Sequence, residues 1–384
     1  MKLAIFENIM TPGGHEVDFD RILVEEFQKL GHEVSFYVPE GFRFSFDYQV
    51  PSHELKGKVV SYSGVTGLRK LWRTIKREKN RMGWYKQLAG LAEEGAFDAL
   101  IVPTSTYRYL RALKNSPLKN SPVPIVFILH GINPGEAPKF LKEARKLSSC
   151  RNVRPTVLTL SKDIFGARPD SVRLLYPPTY TPRDLEGYSP RLAQPGEPLT
   201  IGFFGQYRRE KKLEDFLEVF TRARAAFTRE VRLLVQGATM HPEDAEDFER
   251  IISRYQGNPA IKFLHKGLIG KEWQEAIAKI DVLLLPYSAP RYRYHWGGML
   301  FTALGFGKPV IASDDMNPEV FEDFEVGRTF PSGDLEALQQ VLADFINSYD
   351  IKLAEYEAGL RAAFEEYSPE AFARRIEGII REQR

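Results

Sequence analysis

Short apolar runs rich in Val, Ile, Leu and Phe alternate with amphipathic stretches along almost the whole chain. Brief apolar runs bounded by turn residues read as buried strands, and apolar residues recurring every three or four positions read as helix faces. In the first half the predicted strands are 2–6, 33–38, 99–103, 124–129, 156–160 and 172–176. Between the first two, Phe19, Ile22, Leu23, Phe27 and Leu30 mark one helix face that closes at Gly31, completing a strand–helix–strand unit. Residues 177–198 carry Pro177, Pro178, Pro182, Pro190, Pro195 and Pro198 and little periodicity, the pattern of a linker. A second series then begins, with strands predicted over 199–204, 232–235, 261–264, 281–285 and 309–312. Ser368, Pro369 and Glu370 open a final helix that runs to about 380. Strands alternating with helices in this way predict two doubly wound α/β domains, facing one another across a cleft.

Composition narrows the function classes. At roughly 150 residues per domain, 384 residues make about two domains. With 43% hydrophobic and 27% charged residues, extended disorder, collagen-like repeats and coiled coils are poor readings. Lys plus Arg is 53 against 51 Asp plus Glu, a formal charge of +2, so nothing in the whole-chain charge calls for nucleic acid. The lone Cys150 can form no internal disulfide and no cysteine-rich zinc site, which fits a reducing compartment. The opening MKLAIFENIMTPGG is too polar for a secretory signal, and no apolar run reaches the ~18 residues of a membrane span. Attachment to a membrane surface stays open.

The order of motifs in the second half goes further. Residues 201–220, IGFFGQYRREKKLEDFLEVF, resemble the strand, glycine, basic loop and helix of the family 4 (group 1) glycosyltransferases. These enzymes use nucleotide-sugar donors on the GT-B fold, two Rossmann-like domains with a cleft between them. Residues 281–314, DVLLLPYSAPRYRYHWGGMLFTALGFGKPVIASD, resemble the family's donor-site block. NPEVFEDFEVGRTFPSGDLEAL resembles the Pro-Glu, short strand and Gly-Asp segment that follows it. In the first half, TPGGHEVDFDRILVEEFQKLGHEVSFYV is similar to the family's glycine loop and second strand, and His130-Gly131 follows an apolar strand as the family's active-site histidine does. The resemblance implies an acceptor-binding domain over 1–185, a linker at 186–198, a donor-binding domain over 199–367, and a closing helix, 368–384, packed back on the first domain.

The same resemblance assigns candidate residues. Gly205 and the loop after it would face the donor diphosphate. The family's phosphate-gripping Lys matches Lys211, but Gln206 stands at the Arg position, with Arg208 and Arg209 nearby to supply guanidinium groups. Where the family carries two glutamates spaced by seven residues, this chain has Tyr294 and Thr302; Thr302 could bond a ribose hydroxyl, and Tyr294 could stack or donate. Gly297, Gly298 and Met299 precede a helix and can turn amides toward a phosphate, or else only ease close packing. Pro286 and Tyr287 are candidates for the donor base, or a simple strand-end turn. Glu319 is a donor-site candidate or a helix-start residue. Gly13 and Gly14 would let the first loop approach the donor phosphate, and His130 would lie near the transferred sugar. An inverting mechanism would need a general base, for which His15, Glu16 and Asp18 are the candidates; a retaining one, which the resemblance favours, would let the leaving phosphate take the proton. No Asp-x-Asp pair stands at a strand end and no Gly-x-Gly-x-x-Gly is present, so no metal and no cofactor beyond the substrate is expected.

Residues 69–86, RKLWRTIKREKNRMGWYK, hold eight Lys or Arg and one acid, Glu78, for a local charge of +7. Leu71, Trp72, Ile75, Trp84 and Tyr85 are interleaved with them, a mixture suited to anionic lipid. An acidic polysaccharide is a further fit for this segment, with nucleic acid behind it, and a solvated helix face is the plain alternative. Taken together, the chain reads as a cytoplasmic glycosyltransferase, peripheral on the inner face of the membrane. It would move sugar from a nucleotide diphosphate to a glycan, lipid-linked or small acceptor in surface polysaccharide or glycoconjugate assembly. The alternatives are a nucleotide-sugar epimerase of the same fold and a non-catalytic nucleotide or glycan binder.

Overall fold

The computed structural model describes residues 1–9, 15–60, 66–161, 163–166, 168–287 and 289–382, with the backbone alone at 15, 16, 210 and 290. The chain divides into two compact units, Met1–Tyr176 with Pro369–Arg384, and Pro177–Ser368.

The first unit is built on seven parallel strands. In chain order its elements are β1 (Lys2–Phe6), α1 (His15–Lys29), β2 (Glu33–Pro39), β3 (Ser52–Leu55), α2 (Gly67–Glu93), β4 (Ala99–Val102), α3 (Tyr107–Leu113), β5 (Ile125–Leu129), α4 (Ala137–Lys146), β6 (Val153–Leu158) and β7 (Arg173–Leu175). The sheet order is β3-β2-β1-β4-β5-β6-β7. Central strands such as ALIV and IVFIL are buried at every position, which is why they appear in the sequence as unbroken apolar runs rather than alternations. β3, SHEL, escapes that signal because it is an edge strand with only Leu55 buried.

The second unit holds β8 (Leu199–Phe203), α5 (Leu213–Ala223), β9 (Val231–Gly237), α6 (Pro242–Tyr255), β10 (Ile261–His265), α7 (Gly270–Ala278), β11 (Val282–Leu285), α8 (Gly298–Gly305), β12 (Val310–Ser313), α9 (Pro318–Asp323), β13 (Gly327–Phe330) and α10 (Leu335–Glu366). Its six strands are parallel in the order β10-β9-β8-β11-β12-β13. In both sheets the strand order reverses beside the first strand, between β1 and β4 and between β8 and β11. Those are the topological switch points where open α/β sheets bind ligands, beyond the carboxyl ends of the strands.

The proline-rich segment is not a free linker. Residues 177–198 belong to the second unit, so the division falls after Tyr176 rather than after 185. Thr179 N–H donates to Tyr367 O at 2.7 Å, Tyr180 N–H to Phe301 O at 3.3 Å, and the Tyr188 hydroxyl to Phe306 O at 2.9 Å. Tyr180 O also lies where a Cβ on Gly305 would stand, 1.9 Å away, so only glycine lets this strap close on α8. The closing helix α11 (Pro369–Arg381) is part of the first unit: Phe372 meets Phe19 edge-on at 5.5 Å, and Arg154 donates to Glu382 O at 2.9 Å. Among the described residues no helix is long and apolar enough to cross a membrane.

Candidate donor site at the second switch point

β8 and β11 end side by side, and the two loops that leave them are joined by one residue from each. Lys211, at the end of a short 3-10 turn (Arg209–Lys211), sets its ammonium 4.3 Å from the centre of the Tyr287 ring and 6.0 Å from that of Phe203. Tyr287 follows β11; it is 5% exposed, its hydroxyl donates to Phe204 O at 2.9 Å, and its carbonyl accepts from the Ser313 hydroxyl. Burial pushes its phenol well above the ordinary range, so the ring stays neutral. The aromatic floor thus holds a cation over the switch point by a cation–π contact. Gly205 takes φ +119° there, and a Cβ on it would come 3.5 Å from the Lys211 ammonium. Its N–H donates to Gln236 Oε1 at 3.0 Å, so Gln236, itself 1% exposed, fixes the loop from β9.

The other basic residues of that loop diverge. Arg208 is exposed and reaches Gln206 Oε1 at 3.4 Å, while Gln206 forms a backbone bridge to Ala238. Arg209 is drawn to α6, donating to Glu243 O at 2.7 Å beside Asp247. Glu214, in the first turn of α5, is held down to about 2 by Arg250 and Arg254 of α6, which ties the helix after the loop in place.

Around α8 the side chains depart from the roles the resemblance implies. Thr302 is 4% exposed and donates back to Gly298 O at 2.8 Å, so its hydroxyl serves its own helix. Gly297 N–H donates to Asn317 Oδ1 at 3.1 Å and Gly298 N–H to Trp296 O at 3.0 Å; Met299 and Leu300 follow in the first turn of α8, where backbone amides have no i−4 carbonyl within the helix. Asn317 is the residue that sequence reasoning passed over. It is fully buried at φ +43°, and its amide also donates to His295 O at 3.1 Å, so it fastens the start of α9 to the 295–297 loop. The Asn-Pro dipeptide at 317–318 was the available signal. Trp296 stacks on Tyr180 of the strap at 4.8 Å and 23°. Tyr294 and Pro286 are half-buried at loop positions. Glu319 is half-buried in the first turn of α9, with Oε2 buried and lacking a hydrogen-bond partner among the described residues.

In the first unit, His130 follows β5 with its Nε2 2.8 Å from Pro103 O and its ring edge-on to Phe19 at 4.4 Å. A carbonyl only accepts, so Nε2 carries a proton in this contact. Asp18 is exposed on α1; with Asp20 and Glu7 its charge adds to the burial that keeps the Tyr48 phenol neutral. Gly13 and Gly14 lie outside the described residues, as do the side chains of His15 and Glu16.

The basic segment also divides. Along α2, Leu68, Leu71, Trp72 and Ile75 are 52–78% exposed and share one face, with Arg69, Lys70, Arg73 and Lys76 around them. From Arg81 onward the helix turns inward: Trp84 and Tyr85 are core residues, and Arg81 is buried in an ion pair with Glu78. The lipid-like mixture is therefore confined to the first half.

Residues 198–348 match the family model described as "Glycosyl transferases group 1". No curated protein matches the chain in sequence. Among solved structures, a glycosyltransferase from Rickettsia africae is similar at 12% identity, over 99% of this chain and 97% of that one, with a TM-score of 0.69. HepE from Anabaena, solved with UDP and glucose, is similar at 14% identity over 99% of both chains, with a TM-score of 0.64. Sucrose-phosphate synthase from Thermosynechococcus elongatus is similar at 13% identity, over 99% of this chain and 98% of that one, with a TM-score of 0.65. The second unit thus carries the sequence signature of the group 1 glycosyltransferases, on a chain whose two parallel α/β sheets have the GT-B fold of those enzymes.

Proposed function

We propose that the protein transfers a glycosyl group from a nucleoside diphosphate sugar to an acceptor hydroxyl, with the diphosphate bound at the second switch point. The observation that carries this is the Lys211 ammonium held on the Tyr287 ring above Gly205, inside the segment that matches the family model. A diphosphate leaving group gathers negative charge as the glycosidic bond breaks, and a fixed cation with first-turn amides stabilises that charge without reorganisation. Uridine is the first nucleoside to test, because HepE was solved with UDP. No metal ligand set is called for, and with the leaving phosphate as proton acceptor the reaction retains configuration. The acceptor belongs to a glycan, lipid-linked or small molecule of surface glycoconjugate assembly.

The exposed face of α2 supports contact with an anionic bilayer. Four apolar side chains at helical spacing, ringed by Lys and Arg, match an interfacial helix, where each basic residue adds about 1 kcal/mol. Flotation with phosphatidylglycerol vesicles should carry the protein upward in a salt-sensitive way, and Trp72→Glu should abolish it; equal recovery with phosphatidylcholine alone would remove this part of the reading.

A second reading, nucleotide or glycan binding without transfer, is favoured by one observation: neither Tyr294 nor Thr302 offers a carboxylate, and the Thr302 hydroxyl is committed to Gly298 O. Turnover separates the two. Release of UDP from UDP-glucose, or of GDP from GDP-mannose, should occur with the wild-type chain and fall at least about tenfold in Lys211→Ala. Binding without release under any acceptor mixture would favour the non-catalytic reading.

A further inference from the structure

The second unit holds a cavity at the opposite end of α8 from the donor loops. Its volume is about 760 Å³, within the range of small-molecule sites, and it opens between the strap, the end of α8 and one face of α10. Two close contacts pin the strap there: Tyr180 O lies against Gly305, and Pro190 Cβ stands 2.5 Å from where a Cβ on Gly307 would be. The stretch of strap between those points lines the space. The walls are mainly apolar. Leu304 and Leu360 are buried, and Leu353, Leu360 and Phe364 recur at helical spacing along α10. Two other side chains on the α10 face carry opposite charge. Glu357 and Arg361 are exposed, one turn apart, in the order that pairs well on a helix. At the same spacing in α11, Glu370 and Arg374 do pair, at 2.7 Å, as do Glu377 and Arg381. Arg191, also at the cavity, is held by Glu197 at 2.6 Å. Glu357 and Arg361 form no such pair, and neither side chain has a hydrogen-bond or ion-pair partner among the described residues.

We infer that this cavity binds a single-chain amphiphile with a zwitterionic head, of the lysophosphatidylethanolamine type. The alkyl chain lies along Leu353, Leu360 and Phe364, which span roughly 16 Å of helix at about 1.5 Å per residue. The phosphate takes the Arg361 fork and the ammonium the Glu357 carboxylate, so both charges of the head are met. A fatty acid or an alkylamine meets only one of them. The site lies wholly within the second unit and does not depend on the glycosyl-transfer reading.

The test is calorimetric titration of the full chain with lauroyl lysophosphatidylethanolamine, kept below its micelle concentration, beside laurate and dodecylamine. The zwitterion should bind, and each single-charge amphiphile should bind about tenfold more weakly, as expected for a lost charged hydrogen bond. Arg361→Ala and Glu357→Gln, both at exposed positions, should each weaken the zwitterion by about tenfold. Glu357→Gln should leave laurate binding no weaker, because laurate has no group for that carboxylate. Trp72→Glu, which spoils the exposed face of α2 as a competing apolar surface, should bind the zwitterion as the wild type does. The inference falls if the zwitterion does not bind, if laurate or dodecylamine binds as tightly, or if Arg361→Ala or Glu357→Gln keeps wild-type affinity. It falls equally if binding is lost in Trp72→Glu. UDP binding, measured separately, judges the donor site alone.

Discussion

At the scale of single residues, the candidate donor site turns on which side chains are free to meet a ligand and which are spent on the fold. Thr302 falls in the second group. Thr302→Val should cost about 1 kcal/mol of stability for the lost bond to Gly298 O and leave nucleotide affinity unchanged, as chemical denaturation and calorimetry would show. Asn317 joins both groups. Asn317→Ala removes the partners of Gly297 N and His295 O and leaves a non-glycine residue at φ +43°. About 2–3 kcal/mol of stability should be lost, together with nucleotide affinity, because the loop before α8 is released. Lys308 shows how a motif residue can mislead. It stands in the block 281–314 that resembles the family's donor site, yet it lies two residues before β12, at the amino end of that strand and away from the carboxyl ends where the candidate site lies. It is 4% exposed, its ammonium is 3.4 Å from Ala278 O, and burial lowers its pKa. Its role is to satisfy the base of the sheet.

At the scale of elements, the strap over residues 177–198 connects what sequence patterning separates. Its Tyr180 stacks on Trp296 of the donor-site loop and lays its carbonyl on Gly305 at the far end of α8, so one residue braces both ends of that helix. Gly305→Ala would put a Cβ 1.9 Å from that carbonyl, and backbone on both sides leaves no flexible group to yield. A loss of roughly 2–4 kcal/mol, with a lower melting temperature and a weaker Tyr180–Trp296 fluorescence contact, is the expected outcome. Patterning found the buried strands because they are continuous apolar runs, and missed β3 because SHEL buries only Leu55. It read the prolines as a linker because proline removes periodicity whether or not the segment packs.

At the scale of the whole molecule, the chain leaves its first unit at Tyr176 and returns to it with α11. His32 marks that return, with Glu377 of α11 3.3 Å from its Nε2 and the N-terminal amine 3.4 Å from its Nδ1. Burial holds its pKa below the ordinary 6.5, outweighing the pull of Glu377. A lowered pKa means the fold prefers the neutral ring. Its contribution is therefore present above pH 6.5 and is lost as pH falls through the folded value. Melting temperature should drop on acidification below about pH 6.5, and less steeply in His32→Gln. The two-sheet architecture was legible from alternation alone, and the switch points follow from strand order. The site was legible only in outline. Gly205 and Lys211 follow β8 in one loop, as their order in the sequence requires, whereas the hydrogen bonds of Thr302 to Gly298 and of Gly297 to Asn317 depend on how the chain closes on itself and leave no trace in motif order.

The central claim, a diphosphate held by Lys211 at the second switch point, is tested most directly by calorimetric titration of UDP into the wild-type chain, Lys211→Ala and Arg209→Ala. The account predicts that UDP binds, that Lys211→Ala weakens it about tenfold to a hundredfold, and that Arg209→Ala, whose guanidinium is tied to Glu243, changes it little. No heat with the wild type, or equal affinity in Lys211→Ala, would contradict it.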